Sequence, residues 1–474
     1  MKSLIPCIAG LLLCGYLPQV YAQPAINPAA PESANLLSQY IQLPSVSGHE
    51  REAGEFFARI CKEKGLSVEL FNENGGGYNF TASLYPLQDG KPNIIFLNHI
   101  DVVPAPPDSS WKFNPFAGSI HDGIVWGRGA IDMKGMAVMQ LLAIDEFKKS
   151  NQSELPFNIT LLCVSREETD NGGAITMVDG FLDLLNPIVV FGEGGAGITG
   201  LSSSNPEHLF FTVSIAEKKA LWLKLTVKIP GSGHGAVPPL EYANQVLVKA
   251  LSVLLDQKVK LEFDETALGM LKALGDKERG FRKTVLRKPR FFKFLLKPAF
   301  MKEPLMLATL TNTITVTNIN NPALGVNQIA QEAQVFLDCR LLPGTNEEAF
   351  INAVKSSLKS NKIEITIVQE TPSTIPSKPG QFFQEFKRAL LLVEPASSVV
   401  PILFPAYSDN SFFRQKGISV YGINPVHLSM EQLESIHSSN EHITFDQLEK
   451  GRLVYLTFLK NITSTQQVLA NKLQ

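Results

Sequence analysis

Apolar and polar positions repeat with two different periods along this chain, and the change of period divides it. Glu32–Gln42 and Glu50–Lys64 place their apolar residues at helical spacing, and short strand-like runs follow at Ser67–Phe71, Tyr78–Leu84 and Asn93–Leu97. Ile131–Lys149 carries a long helical pattern, while Asn158–Ser165 and Pro187–Phe191 are apolar enough to be buried strands. Strands alternating with helices predict an α/β lobe around a mostly parallel central sheet. From about Lys218 the texture changes. Ala220–Ile229, Thr309–Asn318 and Gln331–Leu341 alternate like half-exposed strands, with helices expected over Pro238–Leu255 and Asn346–Leu358 and a strand at Ile363–Val368. Gln381–Leu392, Pro401–Phe404, Ser419–Gly422 and Thr444–Phe458 then restore the first pattern, and Thr444 with Gln447 fits a capping box. The expected architecture is one α/β lobe, residues 23–218 and 371–474, interrupted by an inserted two-layer α+β lobe over 219–370.

The N-terminus reads as a targeting segment. Lys2 precedes an apolar core, Leu4–Tyr16, too short to span a bilayer; Pro18 breaks it, and Val20 and Ala22 are small residues suited to a cleavage site. A signal over 1–22 predicts a secreted or periplasmic protein, with an uncleaved anchor as the alternative. Lys and Arg number 43 against 45 Asp and Glu, a formal net charge of −2, which argues against a nucleic-acid binder. Cys7 and Cys14 leave with the signal. Cys61, Cys163 and Cys339 lie far apart in apolar surroundings, so buried thiols are expected rather than a disulfide framework or a metal cluster.

One stretch departs from this ordinary composition. Lys288–Lys302 (KPRFFKFLLKPAFMK) holds four Lys, one Arg and four Phe in 15 residues. Such a segment lies on a membrane surface or rims a hydrophobic substrate entry; alternatively, it packs its Phe face inward with Lys outward.

Chemistry gathers in five segments. His99 stands at the end of the run IIFL, within NHIDVVP, where ligands of α/β sheets collect; Asp101 follows two residues on, where its carboxylate would orient that imidazole or a neighbour. GRGAIDMKG delivers Asp132 from a Gly-rich turn at the start of a long helix, whose N-terminus favours an anion. Glu167-Glu168 follows a buried strand, so that one acid is free to ligate while the other moves protons. Glu193 lies in FGEGG and His437 in IHSSNE. Each segment has a bland reading by itself: a loop histidine, a helix-capping Asp, solvated loop acids. Together they supply two imidazoles and at least three carboxylates, a donor set for Zn²⁺ or another first-row metal, with Asp132 well placed to bridge two ions.

In order and spacing these motifs, with WKFNPF at Trp111–Phe116, make the chain resemble the co-catalytic dizinc aminoacylase/carboxypeptidase family. That family includes aminoacylase, glutamate carboxypeptidase and succinyl-diaminopimelate desuccinylase. Chain size, the long insertion and SDNSFFRQKGISVYG look closest to its carboxypeptidase S and secreted N-fatty-acyl-amino-acid hydrolase branch. The resemblance runs from about Ser33 to the C-terminal helix and implies a zinc-exopeptidase-like fold with a lid and dimerisation lobe. It implies two Zn²⁺ per chain, with Co²⁺ or Mn²⁺ as alternatives: His99 and Glu193 on one, Glu168 and His437 on the other, Asp132 bridging. Asp101 would orient His99, and Glu167 would be the general base in hydrolysing an N-acyl amino acid or a short peptide with a free carboxylate. His234 in GSGHG would stabilise an oxyanion, often in the partner subunit of a homodimer. Asn327 matches a lid Asn, Arg340 a guanidinium for the substrate carboxylate, and Ser408 a donor beside it. Bland readings stay open for His234 as a turn residue, Asn327 as a strand-end cap and Arg340 as a surface ion-pair partner.

Four positions depart from the family pattern: Arg166 before the Glu pair, Lys219 for a Gly, Ala330 for a Pro, and Pro405-Ala406-Tyr407 for a Gly-rich turn. Arg166 would lower the pKa of Glu167 and weaken it as a base. Two further functions compete: a non-catalytic binding protein on the same scaffold, and a dipeptidase- or aminopeptidase-like enzyme, which would need an acidic group for a substrate amine in place of Arg340. His49, His121, His208, His427 and His442 fit surface or structural use.

Overall fold

The computed structural model describes residues 27–472 apart from 73–76, 107–109, 152, 232, 259 and 322–324, so the expected signal over 1–22, with Cys7 and Cys14, lies outside the described residues. A nine-stranded sheet carries the first lobe. Asn158–Val164, Asn93–His99, Pro187–Gly192 and Val420–Gly422 are neighbours in that order and all parallel. Antiparallel pairing is confined to the flanks, through Ser67–Asn72 and Tyr78–Ser83 on one side and Phe210–Glu217 on the other. The parallel centre sets up the site. His99, Glu167-Glu168 and Glu193 all follow the carboxyl ends of three adjacent strands, and His99 pairs in register with Val164. Ligand-binding residues gather at such an edge because the chain leaves the sheet there in loops free of ladder constraints.

Helices Lys134–Ser150, Gln381–Val393 and Phe445–Lys472 cover this sheet with an aromatic core. Phe191 packs its ring 5.0 Å from Phe386 and 4.9 Å from Phe458, and Phe96 meets Tyr455 edge-on at 5.3 Å. The expected capping box opens the last helix: the Gln447 N–H donates to Thr444 Oγ1 (3.2 Å) and the Thr444 N–H to Gln447 Oε1 (2.8 Å).

A second sheet is antiparallel throughout, ordered Thr313–Asn320, Glu332–Leu341, Lys219–Lys228, Ile363–Glu370. Helices Ala243–Leu255 and Glu347–Ser357 pack on it through Leu247, Leu251 and Val354. The strand expected from Thr309 starts only at Thr313, because Pro304–Leu310 is helical with its Pro at the first turn. Four helices within 219–370 leave this sheet altogether. Glu265–Gly275, Gly280–Arg287, Lys293–Phe300 and Pro304–Leu310 pack against the first lobe, where Met270, Leu271, Leu296, Phe300 and Leu310 share a core with Phe210 and Val400. The basic aromatic stretch is thereby split. Leu296 and Phe300 turn inward, while Phe291 (75% exposed) and Phe294 (69%) face solvent. Cys61, Cys163 and Cys339 are free and buried, and no helix among the described residues is long and apolar enough to cross a membrane.

Candidate metal centre

Five side chains from five separate segments converge at the carboxyl edge of the parallel strands. The ligand atoms of His99, Asp132 and Glu193 lie within 4.8 Å of one another, and so do those of Asp132, Glu168 and His437. Asp132 belongs to both groups and divides its oxygens between them. Oδ1 is 3.0 Å from His99 Nε2, and Oδ2 is 3.2 Å from His437 Nε2. His437 also lies 3.1 Å from Glu168, and His99 4.0 Å from Glu193. His99 Nδ1 is 2.9 Å from the main-chain carbonyl of Asp101, an acceptor, so Nδ1 carries a hydrogen. In neutral His99, Nε2 then aims a lone pair at a carboxylate oxygen. That lone pair and the carboxylate oxygen, 3.0 Å apart, are aimed at one place, and imidazole and carboxylate oxygens are donors Zn²⁺ takes.

The backbone that holds these ligands is itself gripped. Asp101 orients His99 through its carbonyl rather than through its carboxylate, which stands 3.7 Å from Nδ1. That carboxylate instead accepts the N–H groups of Glu167 (3.1 Å) and Glu168 (3.0 Å) and the Ser47 hydroxyl (2.6 Å), fixing the acid pair. Asp132 does not sit in the helix, which begins at Lys134; it lies just before it. Buried Glu441 accepts the N–H groups of Gly129, Ile131 and Asp132 and pairs with buried Arg128 at 2.7 Å. Replacing Glu441 by Ala strands the Arg128 charge, and the expected loss is about 3–5 kcal/mol of unfolding free energy, read from the chemical-denaturation midpoint. Behind Glu193, buried Glu217 accepts the Ser408 hydroxyl (2.8 Å) and Asn410 Nδ2 (3.1 Å), and Asn410 Nδ2 also donates to the Glu193 carbonyl (2.8 Å). Ser408 is 1% exposed, and its hydroxyl serves this framework.

Electrostatics at the centre are extreme. Burial, then the charge of Glu193, holds the Glu167 carboxyl well above the ordinary range; burial, then Asp132, does the same to Glu193 and raises Glu168. Bonds to Asp132 and Glu168 push the His437 imidazole up to about 10. Arg166 does not depress Glu167. It adopts φ 63° and turns its guanidinium onto Asp170, at 3.0 and 2.7 Å.

The residues expected to meet substrate fall in two places. Arg340 lies over the Tyr407 ring (5.2 Å), and Tyr407 feels the charge of Glu167. Nε and Nη2 of Arg340 donate to Asp338 (2.7 and 2.9 Å), while its buried Nη1 has no hydrogen-bond partner among the described residues. His234 and Asn327 instead meet each other, Nε2 to Nδ2 at 3.0 Å, on an exposed two-stranded pairing of Gly233–His234 with Gln328–Ile329. Among the described residues neither bonds to the cluster. His121 and His442 stack on Phe113 and Trp126, a structural use.

Sequence inspection misses the cavity. An apolar cavity of about 360 Å³ opens on Asp132 and Glu193. Its walls come from Met133 and Met136, from Met270 and Leu274, from Leu305 and Met306, from Val400 and Ile402, and from Leu428 and Leu433. Its size is that of a site for a small ligand.

An α/β lobe presenting two imidazoles and three carboxylates around a shared aspartate, with a free acid beside them, defines a metal-dependent hydrolase. The profile of peptidase family M20/M25/M40 matches residues 95–461, and the chain belongs to that family. It is 26% identical over 443 residues to the N-fatty-acyl-amino acid synthase/hydrolase PM20D1 of Xenopus tropicalis, covering 89% of this chain and 84% of the relative. The fold is similar to that of the M20 family metallo-carboxypeptidase Sso-CP2 from Sulfolobus solfataricus: TM-score 0.68, 19% identity, 91% of this chain and 99% of the other. It is also similar to the dinuclear metal-binding peptidase YXEP of Bacillus subtilis, with TM-score 0.55, 12% identity, and 91% and 98% coverage.

Proposed function

We propose that the protein hydrolyses the amide bond of N-acyl amino acids that carry a long apolar acyl chain and a free carboxylate. The observation that carries this reading is the apolar cavity opening directly on Asp132 and Glu193. The carboxylate would go to Nη1 of Arg340, beside Tyr407. A cationic anchor favours this substrate over a peptide bound by its free amine, which needs an acid there.

His99, Glu193, Asp132, Glu168 and His437 would hold two Zn²⁺, with Co²⁺ or Mn²⁺ as alternatives. Bound there, the ions supply Lewis acidity toward the amide carbonyl and toward water. Glu167 takes the proton of the attacking water and returns it to the leaving amine nitrogen; a carboxyl that burial and the Glu193 charge hold above its ordinary range suits both transfers. The cavity holds the acyl chain away from water, and Arg340 anchors the carboxylate equally in the bound substrate and the transition state. Metal analysis of purified protein tests the centre: about two zinc per chain is expected, with less in Glu168→Ala. Protein that takes up no zinc would overturn the reading. For Arg340→Met the expected result is a KM raised at least about 10-fold with kcat little changed, in steady-state kinetics.

His234 and Asn327 we assign to the centre of a partner subunit, in a homodimer formed through the inserted lobe. Sedimentation of the protein as a monomer that retains full activity would contradict this. Export also belongs to the reading, with the mature chain beginning at Gln23 on N-terminal sequencing.

A further inference from the structure

The surface around the basic aromatic stretch is unlike the rest of the chain. From Arg279 to Lys302 there are nine Lys and Arg and no Asp or Glu, in a protein whose formal net charge is −2. Three of the nine face acids from other segments: Arg282 to Glu278 (3.3 Å), Arg287 to Asp276 (3.2 Å) and Arg290 to Glu265 (3.2 Å). Lys283, Lys288 and Lys302 make no ion pair among the described residues. Large apolar side chains stand exposed between these cations: Phe281 (65%), Phe291, Phe294 and Met301 (50%). The Phe292 ring, 5.6 Å from Phe281 and 4.9 Å from Phe291, joins them into one patch. Leu296 and Phe300 anchor the same helix in the core, so the exposed rings are carried on a fixed frame.

The patch leads in sequence to the cavity. Leu305, 50% exposed, follows Met301 and Lys302 in sequence and lines the cavity that reaches Asp132 and Glu193. Exposed aromatics set among unpaired lysines match the interface of an anionic bilayer, where rings enter the headgroup boundary and cations meet lipid phosphates. We infer that the surface formed by Phe281, Phe291, Phe294, Met301, Lys283 and Lys288 docks the protein on anionic membranes, with the cavity mouth at Leu305 turned toward the lipid. The use of docking, to let a membrane-dissolved acyl substrate enter the cavity, rests on the N-acyl amino acid reading; docking itself does not.

The test is sedimentation of the intact, zinc-loaded protein with phosphatidylcholine vesicles, with and without phosphatidylglycerol. Binding is expected to the phosphatidylglycerol vesicles only, and to weaken as salt rises. Lys283→Glu/Lys288→Glu/Lys302→Glu is expected to weaken it by about 100-fold or more, and Phe291→Ser/Phe294→Ser to weaken it at unchanged salt dependence. Zinc content and the unfolding midpoint establish that each variant is folded. No sedimentation, equal binding to neutral vesicles, or full binding by both variants overturns the proposal. So does a wild-type dimer that Phe291→Ser/Phe294→Ser converts to monomer, because a second copy would then cover the patch. Sedimentation reads docking alone, whereas the dependence of kcat/KM on acyl length reads the cavity, so the two ideas fail separately.

Discussion

Exchanging Glu167 for Gln is expected to lower kcat by about 10²- to 10⁴-fold while the metal content stays at the wild-type level. The backbone of Glu167 is fixed by Asp101, so the amide side chain occupies the same place without moving a proton. Its carboxylate stands near His99 and Glu168 but outside the two groups that share Asp132. Steady-state kinetics with parallel metal analysis separates the roles. A fall in kcat with metal retained identifies a proton carrier, whereas loss of metal in proportion to activity would make Glu167 a ligand and leave the base unassigned.

For a series of N-acyl amino acids of increasing chain length, kcat/KM is expected to climb about 3- to 4-fold per methylene until the cavity is full. The slope follows from about 0.8 kcal/mol for each buried methylene, realised in the transition state as in the bound substrate. The cavity wall is almost wholly aliphatic or thioether, and two of its sides come from helices Glu265–Gly275 and Pro304–Leu310. Met306→Trp narrows it at a partly buried position, so the optimum is expected to move to shorter chains while the N-acetyl substrate is cleaved as before. A flat series, or a Met306→Trp variant with an unchanged optimum, would place the acyl group elsewhere.

Much of the candidate cluster was legible because its residues mark local events that sequence records. His99, the Glu167-Glu168 pair and Glu193 end apolar runs, and runs of that kind become the adjacent parallel strands whose ends must share an edge. The two-texture pattern likewise separated the parallel sheet from the antiparallel one. What was not legible depends on pairings between distant segments. Glu441 grips Gly129 and Asp132 across more than 300 residues of sequence, and nothing near either end advertises it. The Ser408 hydroxyl likewise finds its partner, Glu217, 191 residues away. The cavity has no motif, since its wall is drawn from seven segments of mostly apolar residues. The helices from Glu265 to Leu310 were hidden for another reason: their apolar positions face the first lobe and not the sheet that flanks them in sequence.

The most direct test of the account is release of free amino acid from an N-dodecanoyl amino acid, followed with zinc-loaded protein, with chelated protein and after zinc is restored. Release with zinc, its loss on chelation and its return with the metal are the predicted results. Release that persists through chelation, or none at any stage while a free-amine dipeptide is cleaved, would contradict it.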